Sequence, residues 1–137
     1  MIHLDSNLLI ALADAADPHR ETALRLMRPF PQAAVSSMAW WEFECGPVSP
    51  EGLAIVRITL AGGIVPFGEP HAKEAARLFN AVGRSRRYKF DSLIAATAIL
   101  ANAELATVNG ADFQPFVPHG LKLLDLPQAP FNPNPGR

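Results

Sequence analysis

The sequence predicts an α/β domain in which helices cover both faces of a parallel sheet. Several short apolar strands alternate with helices along the chain, the pattern that builds such a sheet. At 137 residues, 49% apolar and 18% charged, the chain is long and greasy enough for one domain with a real core. No internal repeat interrupts the alternation.

The elements follow in order. Ile2 to Leu4 is an apolar strand, and Asn7 to about Ala15 a helix with Ser6 or Asn7 as its cap. "DPHRETALRLM" opens a second helix at Pro18, with Glu21 in the first turn and Ala23, Leu24 and Met27 on one face; Pro29 and Pro31 end it. "AAVSS" is a buried strand, and "MAWWEFECG" a helix stopped by Gly46-Pro47. Ser49-Pro50-Glu51 starts a helix to about Leu60, which Gly62-Gly63 breaks before the strand "IVPF". Pro70 opens a helix carrying Ala75, Leu78, Phe79 and Val82. "KFDSLIAATAILANAE" is the clearest helix, apolar almost all round and so expected at the centre of the sheet or against a partner subunit. "LATV" and "LKLLDL" close the domain as strands, giving a folded unit over residues 1–126 and a Pro/Asn-rich tail over 127–137.

Composition narrows the function classes. No apolar run reaches the roughly 18 residues that cross a bilayer, and the start lacks the features of a secretory signal. The single cysteine, Cys45, gives no disulfide or zinc framework, is expected to be buried and inert, and points to a reducing compartment. The four histidines are scattered without ligand spacing and read as structural or surface residues. On a chain of net charge −1, Arg84, Arg86, Arg87 and Lys89 form a local basic patch. That patch suits an RNA backbone or a solvated loop equally.

The carboxylates carry the chemistry. Asp5 closes the first strand, Glu42 lies in the helix after the second, Asp91 begins the long apolar helix, and Asp112 follows the fourth strand. In an open parallel sheet the loops beyond the carboxyl ends of the strands gather at one edge, where ligands bind. Asp5 and Asp112 reach that edge directly, and Asp91 reaches it from a helix start. Helix position alone leaves Glu42 and Glu44 in competition. Converging acids repel unless a cation sits among them, and oxygen ligands suit Mg²⁺ or Mn²⁺. The chemistry this suggests is metal-assisted phosphodiester hydrolysis.

These segments bring a family into view. From "MIHLDSNLLIALAD" through "SSMAWWEFECG" and "FDSLIAATAILANAELATVNGADF" to "GLKLLDL", the chain resembles the PIN-domain ribonucleases, and most closely the VapC-type toxins of prokaryotic toxin–antitoxin pairs. The matching positions are Asp5-Ser6-Asn7, Glu42 ahead of Glu44 and Gly46, Asp91, and Thr107, Asn109, Asp112 and Phe113. It is this pattern that selects Glu42 over Glu44. The resemblance implies a three-layer α/β/α sandwich, Asp5, Glu42, Asp91 and Asp112 as catalytic and metal-ligating residues, and Mg²⁺ or Mn²⁺ as cofactor. It further implies RNA as substrate, a homodimer, a cognate antitoxin that blocks the site, and the prokaryotic cytoplasm. The chain departs from the pattern at Pro47, which directly follows Gly46, at Val108, and in the short Phe113-Gln114-Pro115 continuation.

Simpler roles compete at each position. Asp5 would cap the first helix were Ser6 and Asn7 not better placed for it. Asp91 suits an N-cap, and Asp112 an ordinary turn. Asn7, Thr107 and Asn109 are candidates to orient the acids. Trp40 and Trp41 read as core or dimer contacts before they read as base-stacking rings. Two other function classes stand beside the nuclease. One is a PIN-like module that binds RNA or a regulatory protein without cutting. The other is a phosphoryl-transfer or receiver-type enzyme, for which the chain lacks a phosphate-cradling GxxxxGK[ST] loop and "TVNGAD" lacks a lysine.

Overall fold

The computed structural model describes residues 1–126, so the expected tail over 127–137 lies outside the described residues. Among the described residues five strands form one parallel sheet: β1 (Ile2–Leu4), β2 (Ala34–Ser36), β3 (Gly63–Val65), β4 (Glu104–Thr107) and β5 (Lys122–Asp125). Their order is β3-β2-β1-β4-β5. Between them run α1 (Ser6–Ala13), α2 (Arg20–Met27), α3 (Ser37–Cys45), α4 (Pro50–Thr59), α5 (Glu69–Ala81), α6 (Lys89–Leu100) and α7 (Gly110–Phe113). Short 3-10 turns cover Arg86–Tyr88 and Gln114–His119. None of the helices is long and apolar enough to cross a membrane.

Parallel crossovers are right-handed. The chain moves outward from β1 to β2 and β3, returns across the sheet, and then fills the other side with β4 and β5. Its helices therefore divide between the two faces, giving the α/β/α sandwich. α1 packs with α2 and α4 in one group, and α5 packs with α6 in the other. α3 begins directly at the end of β2 and touches both α1 and α6, so it bridges the layers.

Burial holds these pieces in place. β1 and β2 are buried along their whole length, as strands covered on both faces must be. An eight-residue helix such as α1 is too short to persist alone. Its fully buried Leu8, Leu9 and Leu12 each contribute about 2 kcal/mol of apolar burial. The contact between α1 and α4 is close because Gly52 has no side chain; a Cβ there would stand 2.6 Å from the Ala13 carbonyl oxygen.

Several expectations are corrected. α1 starts at Ser6 and ends at Ala13, and its N-cap is Asp5, not Ser6 or Asn7. Asp5 wins because it keeps the extended backbone of the strand (φ −76°, ψ 159°), while Ser6 has already turned helical. On α2, Leu26 is buried and Leu24 exposed, so the apolar face is rotated from the one expected. α6 stops at Leu100 because Asn102 takes a left-handed backbone (φ 53°), and Glu104 is recruited to the sheet beside Ile2. Asp91 is no N-cap: α6 begins at Lys89, which puts Asp91 in its first turn. Asp112 lies in the short helix α7 rather than a plain turn.

Cys45 is exposed, not buried. Ala39 and Phe43 take the inward positions of α3, and a residue two beyond Phe43 points the other way. The two tryptophans also part company. Trp40 packs on Phe43 and beneath Arg57, whereas Trp41 is 59% exposed and touches the Phe90 ring.

Candidate active site

The direction in which the chain fills the sheet reverses at β1, which lies between β2 and β4. In open α/β sheets the crevice beyond the carboxyl ends at such a point is where ligands bind. Asp5 stands there. Its backbone N–H donates to the Ala106 carbonyl at 2.9 Å, carrying the β1–β4 ladder one residue past the strand. The side chain is only 5% exposed and is surrounded by donors. Ser6 N–H donates to Oδ1 at 2.8 Å; the Thr107 hydroxyl and the Asn7 amide donate to Oδ2 at 2.8 and 3.1 Å. Burial raises the pKa of Asp5, these three bonds pull it back, and the charge of Asp112 raises it further.

The other three expected acids act on the same place. The Ser6 hydroxyl donates to Glu42 Oε1 at 3.1 Å, joining the first turn of α1 to α3. Glu44 is exposed, and it is Glu42 that the bridging helix α3 turns toward Ser6. Glu42 has a raised pKa from partial burial and from Asp5, against the Ser6 bond. Asp91 is pushed up to about 7, first by burial, then by the charges of Asp5, Asp112 and Glu42, with Arg87 acting in the opposite direction. Asp112 completes the group, with its Oδ1 3.7 Å from the Arg87 guanidinium. Asp91 therefore feels the charges of the other three acids, Glu42 feels that of Asp5, and Asp5 feels that of Asp112.

The orienting candidates divide by mechanism. Thr107 is fully buried and is the hub: its hydroxyl donates to Asp5 and accepts from the Asn7 amide at 3.2 Å and from Asn109 N–H at 2.9 Å. Asn7 touches Asp5 directly, while Asn109 contributes through its backbone. The basic patch divides as well. Arg84 sits in a left-handed turn after Gly83 (φ 61° and 84°), donating to Asn80 Oδ1 at 2.6 Å beside the Phe79 ring. Arg86 and Lys89 are exposed, and Arg87 alone of the four reaches an acid of the site among the described residues.

Two features of this edge were not foreseen. Ser6 links Asp5 and Glu42, its backbone N–H donating to the first and its hydroxyl to the second, a role that reading it as a helix cap hides. Asp125 ends β5 beside Thr107 and lies so close to Gly110 that a Cβ there would collide with its carboxylate. Like Asp5, Asp125 is a carboxylate that closes an apolar strand, a signal present in the sequence. A separate groove of about 360 Å³ lies between α1, α3 and the start of α4, lined by Ile10, Phe43, Pro47 and Val48, and holds none of the four acids.

The chemistry of the donors fits a hard divalent ion. They are carboxylates that repel one another, with no histidine or cysteine among them, the set that suits Mg²⁺ or Mn²⁺ and not zinc. Among the described residues no three His, Cys, Asp or Glu side chains stand close enough together to hold a metal ion between them. Mg²⁺ does not need three, since it takes one or two carboxylates and keeps much of its water. The Asn7 Oδ1 atom, buried without a partner, is a further acceptor beside the acids.

Comparison with known proteins agrees with this architecture. No functionally curated protein matches the chain in sequence. Among solved structures, a toxin–antitoxin complex from Klebsiella pneumoniae has a chain that is 27% identical with a TM-score of 0.65, covering 83% of this chain and 91% of its own. VapBC2 from Rickettsia felis, bound to a promoter DNA fragment, is 21% identical with a TM-score of 0.64 over 91% and 98% of the two chains. VapC20 of Mycobacterium tuberculosis, a toxin that cleaves the sarcin–ricin loop, is 18% identical with a TM-score of 0.59 over 79% and 88%. The PIN domain family matches residues 2–115, most of the chain and every acid of the quartet. The chain belongs to the PIN domain family.

Proposed function

We propose that this chain is a divalent-metal-dependent endoribonuclease, the toxin of a prokaryotic toxin–antitoxin pair. The observation that carries the reading is the meeting of Asp5, Glu42, Asp91 and Asp112 at the switch point of the sheet, where their charges act on one another. Membership of the PIN domain family and similarity to chains of toxin–antitoxin complexes support it.

Asp5, Asp91 and Asp112, with Glu42, would hold one or two Mg²⁺ or Mn²⁺ ions. A bound ion of this kind offsets charge on phosphoryl oxygens and acidifies a water. The chain supplies everything else. Thr107, Asn7 and the Ser6 amide fix the Asp5 carboxylate in one orientation, and the Ser6 hydroxyl sets Glu42 against it. Oriented acids need no reorganisation as the phosphodiester approaches. The basic residues beside them, Arg84, Arg86, Arg87 and Lys89, offer charge for an RNA backbone. Trp41 on α3 and Ile55 and Ile58 on α4 leave apolar surface for contact with a second copy or an antitoxin segment. The reading locates the protein in the cytoplasm and takes residues 1–126 as one catalytic domain followed by the tail.

The experiment is cleavage of a mixed RNA pool by antitoxin-free protein in Mg²⁺, in Mn²⁺ and in EDTA, with Asp5→Asn purified identically. Cutting that requires both metal and Asp5 establishes the enzyme. Folded protein that binds metal and RNA but cuts nothing makes it a binding module.

A further inference from the structure

We propose that Arg87 is a built-in counter-cation of the acidic site: it pairs with Asp112 while no metal is bound, and binds a phosphate of the RNA once Asp112 turns to the ion. The proposal rests on the metal-dependent ribonuclease reading above.

Its basis is the one ion pair at the site among the described residues. Arg87 Nη2 lies 3.7 Å from Asp112 Oδ1, with the arginine side chain 66% and the aspartate 45% exposed. Such a pair is loose and well solvated, so it exchanges readily. The charge of Arg87 also acts on Asp91, so two of the acids feel this guanidinium. A carboxylate oxygen that accepts a doubly charged ion at contact distance cannot also hold the guanidinium, so the two cations compete for Asp112.

The fold keeps the displaced guanidinium at the mouth of the site. Arg87 lies in the 3-10 turn immediately before α6, over the Tyr88 ring at 5.4 Å. Tyr88 meets Phe116 edge-on at 6.0 Å, and Phe116 meets Phe113, the neighbour of Asp112, at 6.4 Å. These rings tie the turn that carries Arg87 to the helix that carries Asp112. Once released, the planar fork of the arginine faces the approach of a phosphodiester, whose oxygens it matches. Arg84 has no such freedom, held as it is by Asn80 and Phe79.

The test uses the full chain stripped with EDTA. Mn²⁺ affinity is measured by calorimetry without RNA. RNA affinity is measured by fluorescence anisotropy in saturating Mn²⁺ with a single-stranded uridine oligonucleotide, its integrity checked on a gel. Arg87→Ala is expected to bind Mn²⁺ about two- to fivefold more tightly, the scale of an exposed ion pair removed. It should bind the oligonucleotide about tenfold more weakly, as loss of one charge-assisted phosphate contact implies. The slope of log affinity against log salt should fall by about 0.7. Arg87→Lys keeps the charge without the fork, so Mn²⁺ affinity should stay near wild type while RNA affinity drops. Lys122→Ala removes the same charge from the opposite end of the sheet, where Lys122 bonds Asn102, and should leave Mn²⁺ affinity unchanged. Opposite movements of metal and RNA affinity are what a merely structural role would not produce. Arg87→Ala that binds Mn²⁺ no more tightly than wild type, or RNA no more weakly, overturns the proposal alone. Wild-type protein that binds no Mn²⁺ overturns the ribonuclease reading and this proposal with it.

Discussion

His3 and Asp5 sit two residues apart, one within β1 and one just past its end, and both are buried: 1% and 5% exposed. Around Asp5 three donors converge, and three further acids act on the same crevice. Around His3 neither ring nitrogen has a hydrogen-bond partner. Burial disfavours the charged form of each, raising the pKa of Asp5 and lowering that of His3 to about 4. The response differs. The chain surrounds Asp5 with groups that keep a carboxylate oriented in spite of its surroundings, while His3 simply stays neutral. A buried polar group that other residues converge on is built for use. One that nothing approaches is only tolerated.

Asp5 is where a substitution should have the largest effect. Asp5→Asn keeps the shape and removes the charge. RNA cleavage should fall by more than about 100-fold, since loss of a residue that merely orients a metal ligand already costs about 10- to 100-fold. Melting in EDTA should hold or improve, because a buried like charge has gone. Intact cleavage with a lower melting temperature would reduce Asp5 to its helix cap. Thr107→Val tests the surroundings instead of the acid. It deletes the hydroxyl that donates to Asp5 and accepts from Asn7 and Asn109, and cleavage should fall by about tenfold. Cleavage within a factor of two of wild type would show that the orientation of Asp5 does not depend on this hub.

Asp91 makes the site sensitive to pH. Its pKa in the folded, metal-free chain is about 7, above the ordinary 3.8. A raised carboxyl contributes stability that is fully present below pH 3.8 and is lost as pH rises through about 7. An incoming ion must displace that proton, so Mn²⁺ affinity should strengthen by about tenfold between pH 6 and pH 8. Asp91→Asn should flatten the dependence. Calorimetry at several pH values checks both, and an affinity independent of pH in wild type removes Asp91 from the ion's surroundings.

Much of this site was legible in the sequence, and the limits are physical. Short apolar runs mark the strand ends that put Asp5 and Asp112 at the carboxyl edge of the sheet, and a plainly apolar helix marks Asp91. Glu42 was not fixed by periodicity, since its direction depends on α3 touching both layers of the sandwich. Arg87 could not be separated from its neighbours by composition. What separates them is the left-handed Gly83-Arg84 turn, which commits Arg84 to Asn80 and leaves Arg87 facing Asp112. The cap of α1 was misassigned because cap preferences rank side chains but do not say where the backbone turns helical. The exposed Cys45 was missed because burial was inferred from residue type and not from its place on α3 opposite Phe43.

The smallest effect belongs to His3, and it isolates the two halves of the pH behaviour. A histidine whose pKa is lowered on folding contributes stability that is present above its unfolded value of 6.5 and is lost as pH falls through about 4. This is the opposite slope to that of Asp91 over an overlapping window. His3→Leu removes two buried nitrogens that lack partners and should stabilise the chain by about 1 kcal/mol at neutral pH. It should leave cleavage unchanged, because neither ring nitrogen of His3 bonds the groups that hold the acids. In metal-free His3→Leu, the acid limb contributed by His3 should vanish, so that the downward slope between pH 4 and pH 7 due to Asp91 stands out. Adding Asp91→Asn should then flatten that slope. Urea unfolding across this range decides it: a surviving acid limb in His3→Leu, or a lower stability at neutral pH, would mean that His3 has a partner and that β1 is built for use along its length.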